Sequence, residues 1–226
     1  MDGERFERWC GRAAAEVVLV LAIFAAAGAW PTPDVNEAHY LTKARHFVDP
    51  SWCAGDFFLE TAEAHGIFFR MIGPLTAAMP LAEAAWVGRV LGWLALAVGF
   101  CHAVWLLLPG TGARVLAAAI FSLALRNTTA AGEWLIGGCE AKVFAWAFLL
   151  GATGEIARGR FASAWLAAGA ATALHVVVGG WGMVAVMLQG IVAAVFPSGA
   201  CRTESANRLL AAMLSGRVLS LSLIHI

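Results

Sequence analysis

Apolar runs of about the length needed to cross a bilayer recur along this chain, and they constrain its fold more than any other feature. A bilayer-spanning helix needs about 20 mostly apolar residues. Such runs fall at about 13–30, 86–108, 113–131, 141–156, 161–178 and 181–197. The overall balance agrees: 61% of the 226 residues are hydrophobic and 13% are charged, against roughly 45–50% and 25% in soluble domains. The expected fold is all-α: one multi-pass transmembrane helical bundle over 1–226, with six spans. "GGWG" (Gly179 to Gly182) alone separates the last two, which are expected to form one helical hairpin or one broken helix. The first run follows Arg5, Arg8 and Arg12 and is read as an uncleaved span, although "AAAGAW" also offers small residues for a signal-peptidase site.

The formal net charge is zero, which gives no electrostatic footing for nucleic acid as a partner. No glycine-rich phosphate loop occurs. The five cysteines show neither CxxC nor zinc spacing. A bridge between Cys53 and Cys139 is compatible with the topology but not demanded by it.

Short-loop Arg and Lys orient such a chain. With the N-terminus inside, the inner segments hold Arg5, Arg8, Arg12, Arg114, Arg158, Arg160, Arg202 and Arg208. The short outer loop holds only Arg126 and Lys142 at its edges. The N-terminus is therefore expected in the cytoplasm of a bacterial inner membrane, and the segment at about 31–85 on the outer face. That segment is too long for a connector, which is usually about 4–6 residues.

Within it, "PDVNEAHYLTKARHFV" has helical periodicity. Ala38, Tyr40, Leu41, Ala44, Phe47 and Val48 share one face. Asn36, His39, Lys43 and His46 share the opposite face, read as a solvated surface of an amphipathic helix lying on the membrane. Asp34 and Glu37 fit a capping box, with Thr32 before Pro33 as a rival cap. Glu37 nevertheless falls inside the apolar face. Asp49-Pro50-Ser51 reads as a turn. The following "EAHGIFFRMIGPLTAAMPLAEAA" is expected to be broken by Pro74 and Pro80 as it re-enters the bilayer.

Ionisable residues near spans are costly and mark function by default. Two outer clusters qualify: the 34–65 segment, and "RNTTAAGEWLIGGCEAK" with Arg126, Glu133, Glu140 and Lys142. Elsewhere, Arg89 is expected to snorkel outward, Glu16 to reach the inner interface, and His175 to hydrogen-bond a neighbouring helix.

Three pieces of the first outer segment, "NEAHY", "GDFFL" and "HGIFFRMIGPL", resemble in order and spacing the first outer loop of the membrane-embedded C-type (GT-C) glycosyltransferases. The aminoarabinose and protein O-mannosyl transferases are the nearest in pattern. The resemblance covers about 13–110. It departs where Asn36 stands in place of the family's first acidic residue, with Asp34 two residues earlier. The resemblance implies transfer of a sugar from a polyprenyl-phosphate carrier to an acceptor at the outer face. It implies Glu37 or Asp34 as the acid of the site, acting as base or binding a divalent metal or the donor phosphate. Asp56, His65, Arg126, Glu133, Glu140 and Lys142 are the candidate substrate-binding residues. The implied partners are membrane lipids and a lipid-linked sugar donor; no particular cofactor follows.

Burial of Glu37 near the membrane would raise its pKa and make it a better base. A multi-pass transporter and a non-catalytic assembly protein are the alternatives. The final "SLIHI" resembles a translated sequencing adapter, so residues about 216–226 are expected to be non-native in a truncated chain.

Overall fold

The structure is a computed structural model of the chain. It describes residues 3–34, 36–62, 64–127 and 135–195. Glu133, Arg202, Arg208 and the stretch beyond 215 lie outside the described residues.

The described residues form eight α-helices and no strand: α1 (Gly3–Gly28), α2 (Glu37–Val48), α3 (Gly66–Ala78), α4 (Leu81–Val104), α5 (Gly110–Arg126), α6 (Ala141–Ala157), α7 (Phe161–Leu174) and α8 (Val176–Val195). Three stretches are long and apolar enough to cross a membrane: Cys10–Gly28 of α1, α4 and α8. At 1.5 Å per residue the 24 residues of α4 extend about 36 Å, beyond a hydrocarbon core of about 30 Å. The 17 residues of α5 and of α6 extend only about 25 Å, and the 14 of α7 about 21 Å.

α4 and α6 form the centre, α1 lies against α4 with α5 packed mainly on α1, and α7 and α8 lie against α6. The α4–α6 contact is close because α4 presents glycines: a Cβ on Gly99 would stand 2.4 Å from the Ala147 carbonyl oxygen, and one on Gly92 3.0 Å from Val143. Such small-residue seams let helices approach without a large hydrophobic driving force. Val20, Phe24, Trp93, Leu96 and Phe100 fill the space between α1 and α4. Leu41, Phe68, Phe69, Ile72 and Phe144 join α2 and α3 to the bundle.

The expected breaks form in part: the one at Pro80 is present and the last two spans are a hairpin, but no break falls at Pro74 or at "GGWG". Pro74 lies inside α3, which runs on to Ala78; the chain turns at Met79 and Pro80, the second of the two expected breaks. The "GGWG" segment lies within α8, and the break falls earlier, at His175. Gly190 of α8 returns to within van der Waals reach of Phe161 of α7, so the pair is an antiparallel hairpin. Its corner is tight because a Cβ on Gly179 would stand 2.1 Å from the Thr172 backbone nitrogen. Here Gly179 of the pair serves close approach rather than a break.

The helix expected to start near Pro33 begins at Glu37, with Asn36 at its cap and no side-chain capping bond from it. Half of the expected capping box survives: the Asp34 backbone N–H donates to Glu37 Oε2 at 3.0 Å. The Asp49 turn forms as read, Asp49 Oδ1 accepting from Ser51 N at 3.2 Å and Ser51 Oγ at 2.6 Å.

Candidate functional site

Glu37 and Arg89 carry opposite charges, and both side chains are wholly excluded from solvent. In an apolar interior neither could stand alone, since an unpaired buried ion costs several kcal/mol. They meet as a bidentate pair: Arg89 Nε donates to Glu37 Oε1 at 2.8 Å and Nη2 to Oε2 at 2.6 Å. The Cys139 backbone N–H also donates to Oε1, at 2.7 Å. With the Asp34 N–H this gives four donors to one carboxylate. Arg89 Nη1 donates to the Trp30 carbonyl, and the guanidinium lies 4.7 Å over the Trp86 ring. Gly138 makes room for this arrangement, because a Cβ there would stand 3.2 Å from that of Glu37 and 3.3 Å from that of Asp34. One ion pair thus ties together the end of α1, the start of α2, the first turns of α4 and the 135–140 segment.

This corrects two expectations. Arg89 does not snorkel; it turns inward to Glu37. The Glu37 pKa is not raised. Burial pushes it up, but the Arg89 hydrogen bonds, the Cys139 and Asp34 N–H groups and the Arg89 charge outweigh that and hold it below the ordinary carboxylate value. Glu37 is therefore an anion with its acceptor positions engaged, and a poor proton acceptor as placed.

The supposed solvated face of α2 is also largely covered. Lys43 and His46 are buried beneath the 49–62 segment. Lys43 Nζ donates to the Thr61 carbonyl at 3.1 Å and to Thr61 Oγ1 at 2.8 Å, and stands 5.1 Å over the Phe58 ring. His46 Nδ1 meets the Trp52 carbonyl at 2.8 Å, so that nitrogen carries the proton. Of the four residues on that face only His39 stays exposed, and Asn36 is half-buried.

Between α2, the 58–65 segment and the α7–α8 corner lies a cleft of about 400 Å³ lined by Asn36, His39, Tyr40, Lys43, His65 and His175 among others. His65 is its hub. Its Nδ1 donates to the Leu174 carbonyl at 3.2 Å, which leaves Nε2 as the acceptor facing Tyr40 Oη at 3.5 Å. The His175 ring lies 4.8 Å away at 31°. The Val178 N–H donates to His175 Nδ1 at 3.3 Å, placing the proton of a neutral His175 on Nε2. Burial, with the nearby Lys43 charge, lowers the His65 pKa, opposed by the Leu174 bond; the ring is neutral near pH 7.

Comparison with protein-family models, curated proteins and solved structures finds no match to this chain.

The remaining candidates scatter. Glu140 and Lys142 form a buried pair at 3.1 Å where α6 begins. Arg126 is exposed at the end of α5, 5.3 Å from the Trp30 ring. Asp56 is exposed and accepts from Leu59 N at 2.9 Å, as a turn residue does. Glu133 lies outside the described residues. Cys53 is exposed, Cys139 is buried, and both are free thiols. Burial and the Glu37 and Glu140 charges push the Cys139 thiol pKa up, which makes it unreactive. Among the described residues no three His, Cys, Asp or Glu side chains converge as a metal site requires.

Sequence reasoning passed over Arg89, Tyr40 and His175 as site residues, and it placed Lys43 in the outer charged cluster but read it as solvated surface. Arg89 carried a signal: an arginine inside a span needs a buried partner, and Glu37 was the one acid read into an apolar face.

Proposed function

We propose that the chain is a multi-pass membrane protein of the GT-C glycosyltransferase type. It moves a sugar from a polyprenyl-phosphate carrier to an acceptor at the outer membrane face, with its N-terminus in the cytoplasm. The observation that carries this reading is the cleft around Lys43, His65 and His175. It lies on the segment where the family resemblance is densest and is lined by side chains suited to a sugar phosphate.

The distribution of side chains supports membrane embedding. Large apolar side chains face outward, among them Val18, Leu91, Leu116, Leu123, Leu166 and Leu188. Charged ones, among them Glu16, Glu37, Arg89, Arg114 and Lys142, are buried. Water would reverse that arrangement; hydrocarbon favours it.

In the proposed reaction a carboxylate takes the acceptor hydroxyl proton. The oxygen then bonds to the anomeric carbon, and the bond from that carbon to the carrier phosphate breaks with its electron pair going to the phosphate. Lys43, with the Nε2–H of a neutral His175, stabilises the leaving anion. Glu37 anchors the wall instead of accepting the proton. Asp34, half-buried beside Gly138 and two residues from cleft-lining Asn36, is the base.

A panel of polyprenyl-phosphate sugars, assayed in native membranes holding the whole chain, tests this. Asp34→Asn and Lys43→Met are each expected to lower transfer at least about a hundredfold, with folding intact by size-exclusion chromatography. Full transfer by both variants would overturn the reading.

The transporter alternative draws on the helix break at His175, since transporters bind at broken helices. The break is the corner of a hairpin, however, and not a mid-membrane interruption. Solute uptake by reconstituted vesicles without any lipid-linked sugar would revive that alternative.

A further inference from the structure

At the end of the bundle away from the cleft, a second polar group closes around α1, α4, α5 and α6. Glu16 of α1 accepts from Arg114 Nη1 at 3.1 Å and from Thr111 Oγ1 at 3.2 Å. The Arg114 guanidinium lies 4.1 Å over the Trp105 ring. Glu155 of α6 meets His102 Nε2 at 2.6 Å and Arg160 Nη2 at 2.7 Å. Arg158 donates from Nη1 to the Gly154 carbonyl at 2.6 Å and the His102 carbonyl at 3.1 Å.

Between these residues is an open cleft of about 480 Å³, whose walls include Val17, Val98, Leu106, His102, Trp105 and Arg158. Its lining holds one arginine, Arg158, and one carboxylate, Glu16, whose charge is already met by Arg114 at 3.1 Å. Arg158 makes its contacts through Nη1 alone, leaving Nε and Nη2 with no protein acceptor among the described residues. The apolar wall continues outward through exposed Val98 and Leu94 along α4.

An apolar gutter along a helix, ending at an arginine with spare donors beside a tryptophan, has the polarity of an anionic amphiphile. We propose that this cleft holds an anionic glycerophospholipid of the inner leaflet, its phosphate on Nε and Nη2 of Arg158 and one acyl chain against Val17 and Val98. Trp105 marks the headgroup level, as tryptophans do at bilayer interfaces. Basic pockets between helices on the cytoplasmic side are suited to such headgroups. The inference rests on the membrane embedding proposed above and not on glycosyl transfer, so a silent transferase assay leaves it standing.

The test uses the purified whole chain in nanodiscs of phosphatidylcholine with or without phosphatidylglycerol, read by thermal unfolding and by native mass spectrometry of retained lipid. Phosphatidylglycerol is expected to raise the unfolding temperature and to remain bound. Arg158→Gln should weaken its retention about tenfold or more, the size of a lost charge-assisted contact. Arg126→Gln, the same charge change at the other end, should leave it unchanged. Val98→Trp should expel the lipid by filling the gutter with no change of charge, which covers the case in which Arg158→Gln does not fold. Inorganic phosphate in phosphatidylcholine discs should give no shift. A phosphate-only shift, equal losses for Arg158→Gln and Arg126→Gln, or full retention by Val98→Trp would each overturn the proposal.

Discussion

A carboxylate shut away from water with two hydrogen-bond donors on each oxygen cannot tolerate loss of its counter-ion. Arg89→Met strands Glu37, and Glu37→Gln strands Arg89. Either single change is expected to cost about 3–5 kcal/mol. The double variant Glu37→Gln/Arg89→Met should recover part of that loss. A double-mutant cycle on unfolding of the purified chain measures the recovery, and strict additivity would show the pair to be uncoupled. The pH dependence has a definite sign. The folded pKa of Glu37 is lowered, so its stabilisation is present above the unfolded carboxylate value and is lost as pH falls through the folded one. The gap between wild type and Glu37→Gln should therefore close on acidification below about pH 4. His65 acts in a window above that. Its folded pKa is also lowered, so stability should decline as pH falls below about 6.5, the unfolded histidine value, until the folded value is passed. In His65→Asn that part of the decline should be absent. Glu37 was legible in the sequence as an anomaly and illegible in its role. An acid on an apolar face says that its charge must be met, but its partner lies 52 positions away, and only the packing of α2 against α4 brings them together.

Helices were legible from apolar runs wherever the run was long, and α6, expected at 141–156, forms at Ala141–Ala157. Breaks were not, because one signal has two physical meanings. Paired glycines weaken a helix, and they also let another backbone come close. In α8 the second effect governs. Gly179 and Gly180 adjoin in sequence, yet a Cβ on Gly179 would collide with the Thr172 backbone while one on Gly180 would meet nothing within 4 Å. Gly179→Ala is thus expected to destabilise the hairpin by about 1–3 kcal/mol or more. Gly180→Ala should be neutral or stabilising by up to about 1 kcal/mol, the helix propensity gain. Thermal unfolding of the two variants side by side gives the comparison, and equal effects would mean that the α7–α8 corner is not packed this way. The buried polar face of α2 was misread for a related reason. Helical periodicity reports that Asn36, His39, Lys43 and His46 share a side, but a polar side can face water or a polar partner, and the 49–62 segment is that partner.

For the molecule as a whole, charge is collected at the two ends of an apolar bundle. One end carries the Glu37–Arg89 pair, the Glu140–Lys142 pair and the His65 cleft. The other carries the Glu16–Arg114 pair and the group around Glu155. This is the division that the proposed bilayer would impose, and under that proposal the end that faces outward decides what the cleft can meet: a carrier-linked sugar outside, or cytoplasmic solutes inside. The free cysteines report it directly. Cys53 is exposed on the cleft side, Cys10 lies in the other half of α1, and Cys139 is buried. Single-cysteine variants expressed in bacterial cells would be treated with a membrane-impermeant maleimide. Cys53 should label in intact cells, Cys10 only after the membrane is opened, and Cys139 only after denaturation. Labelling of Cys10 alone from outside would invert the orientation, put the cleft in the cytoplasm and exclude an outer-face acceptor. Equal labelling of Cys10 and Cys53 from outside would contradict a membrane between the two ends.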